Sequence, residues 1–145
     1  MTALSNYLEN KLLDDLFRAT AYAPPATLYI ALLTAAPSDT GGGTEVAGGS
    51  YARVAVTSGL TAWNGTHGNT TGASSGTGGT ISNAATIAFP APTANWGSIT
   101  HFGIFDAAAA GNLLVWGALS AAKTVNNGDP APTFAAGALT VQIDN

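Results

Sequence analysis

The chain has 145 residues, 46% hydrophobic and only 8% charged, which supplies apolar material for one core and little for a second. Average domains carry about 25% charged residues, so this surface must be solvated by Thr, Ser, Asn, Gly and backbone, and salt bridges cannot hold it together. A net charge of −4 with four Lys+Arg excludes electrostatic binding of nucleic acid, which needs clustered cations, and the absence of cysteine excludes disulfides, thiol catalysis and thiolate metal sites.

Leu4, Leu8, Leu12 and Leu16 recur every four residues, and Leu13 and Phe17 widen the same stripe. That spacing predicts an amphipathic helix over about Ala3–Ala19. Thr2 or Ser5 can cap its start, Asp14 and Arg18 stand at i,i+4, and Pro24–Pro25 forbid continuation. Polar residues at Asn6, Glu9, Asn10, Asp14 and Asp15 interrupt the apolar run that a secretory signal requires. The apolar stretch Pro24–Pro37 is shorter than the ~20 residues that span a bilayer. The expectation is a soluble protein made in the cytoplasm.

Beyond Pro25 the pattern becomes that of strands. Thr27–Thr34 is a short apolar run bounded by turn residues, the form of a strand buried on both faces. Tyr51–Thr57 alternates as a half-buried strand does. Ala84–Phe89, Ser98–Asp106 and Leu113–Leu119 follow, and Leu139, Val141 and Ile143 alternate to the C-terminus, giving six strands as a minimum. Ala107–Asn112 predicts a hairpin closed through Gly111, and Asn126–Asp129 a tight turn. Ala35–Ser50 and the Gly-, Thr- and Ser-rich tract Ser58–Thr80 predict surface loops. A loop as long as the second is functional, flexible or ordered by a neighbouring chain.

Catalytic chemistry has few parts to draw on. The two histidines, His67 and His101, have no nucleophile elbow beside them, and the spacing of His101 and Asp106 along one strand does not make a dyad. No lysine follows the glycine runs as a phosphate loop requires. Asp39, Glu45 and Asp129 lack the spacing of a calcium loop. No catalytic residue, metal site or cofactor is therefore expected. Trp96, Phe102, Phe105 and Trp116 lie in or beside predicted strands and read as core. Tyr22, Tyr51 and Trp63 lie in or next to loops and, with Leu4, Leu8 and Leu12 of the helical stripe, are the interface candidates. The stripe itself has two readings: it covers the chain's own sheet, or it attaches the chain to a partner.

Several segments resemble a family of small tailed-phage virion proteins: Leu4–Leu13, Thr27–Leu32, the Gly-Thr-Glu-Val at 43–46, Tyr51-Ala52-Arg53, Thr100–Asp106, Gly111–Leu114, Lys123–Asn126 and Ala136–Leu139. The resemblance spans nearly the whole chain except 58–80, which looks like an expanded loop. Its members are often labelled tail fibre, and their motifs carry no catalytic residues.

Together these readings give an α+β, mainly β chain: a jelly-roll-like antiparallel β-sandwich preceded by one N-terminal amphipathic helix. It forms a single domain over 1–145, with 1–22 helical and 23–145 carrying the sandwich and the long loop 58–80. The resemblance implies a non-enzymatic virion protein, first as an accessory or cement protein on the capsid exterior. The alternative is a tail fibre, baseplate or adhesion component contacting host surface carbohydrate. The expected partners are other copies of itself, as a trimer, and major capsid or tail proteins, with neither nucleic acid nor membrane.

Overall fold

A computed structural model describes residues 2–143. Its helix, α1, covers Asn6–Arg18. Ser5 is buried and caps it in extended conformation: its hydroxyl accepts the Leu8 N–H at 3.3 Å and donates to the Leu113 carbonyl. The helix begins three residues later than the leucine spacing predicts. Thr2–Leu4 instead form a short strand, β1, paired with Val115–Gly117. Pairing there satisfies backbone that a helix start would leave unbonded, and it leaves Ser5, the better cap, at the boundary. Leu4 therefore belongs to a sheet edge, not to the helical stripe. At the other end Ala19 adopts a left-handed conformation, the Thr20 N–H bonds the Asp14 carbonyl, and Arg18 pairs with Asp14 at 3.0 Å as the spacing implied.

Ten further strands follow among the described residues: β2 (Thr27–Ala35), β3 (Thr44–Glu45), β4 (Val54–Thr57), β5 (Trp63–Asn64), β6 (Thr80–Asn83), β7 (Ile87–Ala88), β8 (Gly97–Phe105), β9 (Leu113–Val125), β10 (Thr133–Phe134) and β11 (Thr140–Gln142). All pairings are antiparallel. The large sheet has six strands in the order β1-β9-β8-β2-β3, with β4 also along β2, and two small sheets run β11-β6-β5 and β10-β7. The chain is thus mainly β with one N-terminal helix, as expected. Its strands divide unequally, six against three and two, so the jelly-roll-like sandwich is met in its antiparallel β character alone.

The consecutive buried residues Ile30, Ala31, Leu32 and Leu33 confirm that β2 is covered on both faces. Ile30, Leu32, Phe102 and Ile104 of the large sheet share one core with Trp63, Ile87, Phe89, Leu139 and Val141 from in and around the small sheets. On the other face Gly103 leaves room for Leu33, Phe105 and Leu113 to close over it. The predicted turns are present. Asp106 accepts the Asn112 N–H and side-chain amide across the β8–β9 hairpin, where Ala110 and Gly111 take positive φ. Asp129 likewise caps the Asn126 N–H at 2.7 Å.

The tract 58–80, expected as a loop, contains β5 and is organised by its own chain. Trp63 anchors it in the core, Thr66 donates to the Thr80 carbonyl at 2.9 Å, and His67 bonds both Ala73 and Asn69. The polar residues that make the tract look unstructured in sequence are the ones that cross-link it.

Candidate interaction surface

Two features stand out on the molecule: an apolar face around α1 and a largely buried ion-pair cluster at the β8–β9 hairpin. The first begins with the helix. Tyr7 and Leu8 pack against the core, yet no helix residue is fully buried, and Leu12, Leu13, Leu16 and Phe17 are 39%, 54%, 75% and 74% exposed. The reading in which the stripe covers the chain's own sheet therefore holds for its first turn alone. The N-terminal turn covers the chain's own sheet, and the rest presents its apolar side to the outside.

Beside it lies an open groove of about 480 Å³ lined by Leu8, Tyr22, Leu28, Leu60, Trp63 and Ile81, among others, with no charged side chain in its lining. Local sequence builds it. Pro24–Pro25 turn the chain away from the helix, the Ser58 hydroxyl pins the Pro25 carbonyl at 2.6 Å, and the Gly59 carbonyl accepts the Ala62 and Trp63 N–H groups, holding Leu60 out at the rim. Asp15 accepts the Tyr22 N–H and fixes the return from the helix. Partial burial, with Tyr7 and Asp106 nearby, raises the Tyr22 phenol above its ordinary pKa. The groove thus gathers Leu8, Tyr22 and Trp63, and Leu12 stands on the adjoining helix surface. Leu60 and Ile81, exposed beside the groove, carry no sequence signal because each is an isolated apolar residue in a polar stretch.

Of the other candidates, Leu4 and Tyr51 lie away from the groove lining. Leu4 sits in β1. Trp63 is 6% exposed, so the indole reaches inward, and its Nε1 is buried without an acceptor. Tyr51 lies outside the regular strand, which begins at Val54. Its ring stands edge-on to Trp96 at 5.4 Å and stacks near Phe89. Its hydroxyl accepts the Leu32 N–H and donates to Glu45, both at 2.9 Å. Burial is the main cause that pushes the Tyr51 phenol well above its ordinary pKa. Neither aromatic presents the open face on which a sugar would stack.

Glu45 also receives the Arg53 guanidinium at 2.9 and 2.7 Å, and Arg53 donates further to the Ala107 and Ala110 carbonyls at 2.8 and 2.9 Å. The guanidinium lies 3.6 Å from the Phe105 ring centroid. This cluster ties β3, the segment before β4 and the β8–β9 hairpin together; every partner is internal, so it reads as a structural clasp. His101 bonds its neighbour Thr100 at 2.8 Å and lies near Trp116.

A family model described as podophage GP4 fiber I protein gp80 matches residues 3–142. The chain belongs to this family. Membership agrees with the tailed-phage resemblance read from the sequence, and it names a fibre, which favours the tail-fibre alternative over the capsid-cement reading placed first. No curated protein matches the chain. The matched range takes in α1, the segments that line the groove and the Arg53 clasp.

Proposed function

We propose that this protein is a non-enzymatic fibre component of a tailed-phage virion, holding or extending a fibre by surface burial. The observation that carries this reading is the fibre-family match over residues 3–142. Its physical support is a charge-poor, mainly β body whose backbone is cross-linked by turns, with an apolar helix face available for assembly. Apolar surface of that kind contributes roughly 25 cal/mol per Å² buried, before association costs are subtracted. Contact with host carbohydrate through Trp63 or Tyr51 has no support in their burial, so the proposed partners are neighbouring fibre and tail proteins.

Immunogold electron microscopy of purified particles with antibody against the chain tests the assignment. Label on the tail or its fibres is the expected result. Label confined to the head overturns it and restores the capsid reading, and absence of the chain from the protein content of dissociated particles removes it from the virion altogether.

A further inference from the structure

The exposed half of α1 and the groove beside it are continuous. Leu8 lines the groove and packs on the core, Leu12 and Leu16 carry the same i,i+4 row outward, and Leu13 and Phe17 flank it. A protruding apolar ridge and an apolar recess therefore share one side of the molecule.

We propose that this side is a contact between copies of the chain, in which Leu16 and Phe17 of one copy seat in the groove bordered by Tyr22, Leu60 and Ile81 of a second copy.

Three observations select a second copy as the occupant. The groove lining holds no charged side chain and its volume, about 480 Å³, suits apolar side chains. The chain itself presents such side chains beside it, Leu16 and Phe17 at 75% and 74% exposure. Multiplying the exposed fractions of Leu12, Leu13, Leu16, Phe17, Leu60 and Ile81 by the surface of the free side chains gives roughly 600 Å² of apolar area. A standard interface takes about 800 Å² per partner, so these six residues supply most of one side. Beside Leu16 and Phe17, the Arg18 and Asp14 charges compensate each other, while the Asp15 carboxylate keeps its charge and accepts the Tyr22 N–H. Ridge and recess share one side of the molecule, so two copies related by a two-fold axis place each ridge in the other's recess, and all six residues fall on each copy's side of a single isologous contact.

The inference does not depend on the fibre assignment and is tested on the purified full chain by sedimentation velocity over the micromolar range. The ridge variant is Leu16→Asp with Phe17→Ser; the recess variant is Leu60→Asp. All three residues are exposed, and circular dichroism verifies that the variants fold. Wild-type protein is expected to self-associate, and each variant to weaken association about tenfold or more, as loss of a central apolar anchor does. An equimolar mixture of the two variants is expected to associate more tightly than either alone, because the intact ridge of one meets the intact recess of the other. Wild-type protein that stays monomeric overturns the proposal, whether or not the groove then takes up an apolar dye or another protein. So do variants that associate like wild type, or a mixture no tighter than its components.

Discussion

Arg53 offers the sharpest test of how so few charges serve this fold. Its side chain is 7% exposed and that of its partner Glu45 28%, so the pair is largely removed from solvent. All the guanidinium nitrogens are engaged, with Nε and Nη2 on Glu45 and Nη1 shared by the Ala107 and Ala110 carbonyls. Replacing Arg53 with Met keeps the apolar stem but strands a half-covered carboxylate and two carbonyls. Removing one partner of a buried pair costs about 3–5 kcal/mol, and loss of the Phe105 contact adds about 0.5–2 kcal/mol. Solvent reaching Glu45 and the methionine packing offset part of this, leaving about 3–4 kcal/mol, or roughly 6–16 °C in Tm for a chain of this size. Urea unfolding measures it. Arg53→Lys keeps the charge but not the fork, and loses about 2 kcal/mol because a compact ammonium cannot serve carboxylate and hairpin carbonyls together. In the double variant with Glu45→Gln the loss is smaller than the sum of the single losses by about 1–3 kcal/mol, since the stranded charge is gone. An Arg53→Met loss below about 1 kcal/mol, or strict additivity, would show that the clasp behaves as a surface pair and refute the reasoning.

Asn83 is fully buried; it donates to the Ala85 and Ala135 carbonyls and accepts the Leu139 N–H, all within 2.7–2.8 Å. Asn83→Ala strands the buried Leu139 N–H and takes a donor from the Ala85 and Ala135 carbonyls, the second of which keeps the Ala138 N–H, and is expected to cost about 1–3 kcal/mol, with hydrogen exchange accelerating first near Leu139; unchanged protection there contradicts the assignment. Gly49 takes φ +54°, and a Cβ on it would meet the Ala94 backbone nitrogen at 2.8 Å. Gly49→Ala therefore combines left-handed strain with a backbone clash and should lower stability by about 2–4 kcal/mol in thermal or urea unfolding, where a neutral result refutes the close approach. Tyr51 holds its proton more tightly folded than unfolded, chiefly through burial. Its contribution is complete below about pH 10, the unfolded value, and falls by up to ~1.4 kcal/mol per pH unit above it. Unfolding followed from neutral to alkaline pH should show that decline, and Tyr51→Phe should flatten it; an identical slope in the variant assigns the titration to other groups.

Periodic elements were legible in the sequence because their signal is local. The leucine row, Ser5, Pro24–Pro25, the apolar run at β2 and the turn residues at 106–112 and 126–129 each encode their structure within a few neighbours. The short strands were not. β3, β5, β6 and β10 have two to four residues of mostly Thr, Ser, Asn and Gly-flanked sequence, and their conformation is set by partners far along the chain, as β6 is by β11. β9 runs six residues past its predicted end because Ser120–Thr124 is exposed and lacks alternation, while β8 still pairs with Lys123–Val125 after a register shift. The burial of Trp63 is not legible for a related reason. A lone indole among glycines looks like an exposed anchor, and what buries it is a core assembled from residues 30 to 141.

The site shows where periodicity stops being informative. A hydrophobic row establishes that a helix has an apolar side, but not how far the covering surface extends along it. Thirteen residues make a helix about 20 Å long, and the sheet beneath reaches only Tyr7 and Leu8. Helices of this length are marginal in water unless packed. The outer turns are therefore held by end effects: the Ser5 cap, the left-handed Ala19, the Asp14–Arg18 pair and the Asp15 bond to Tyr22. Those contacts fix the direction of Leu12, Leu16 and Phe17 before any partner arrives. Preorganisation of that kind lowers the entropy cost of association, which is what an assembly subunit with almost no charge to steer its partners requires.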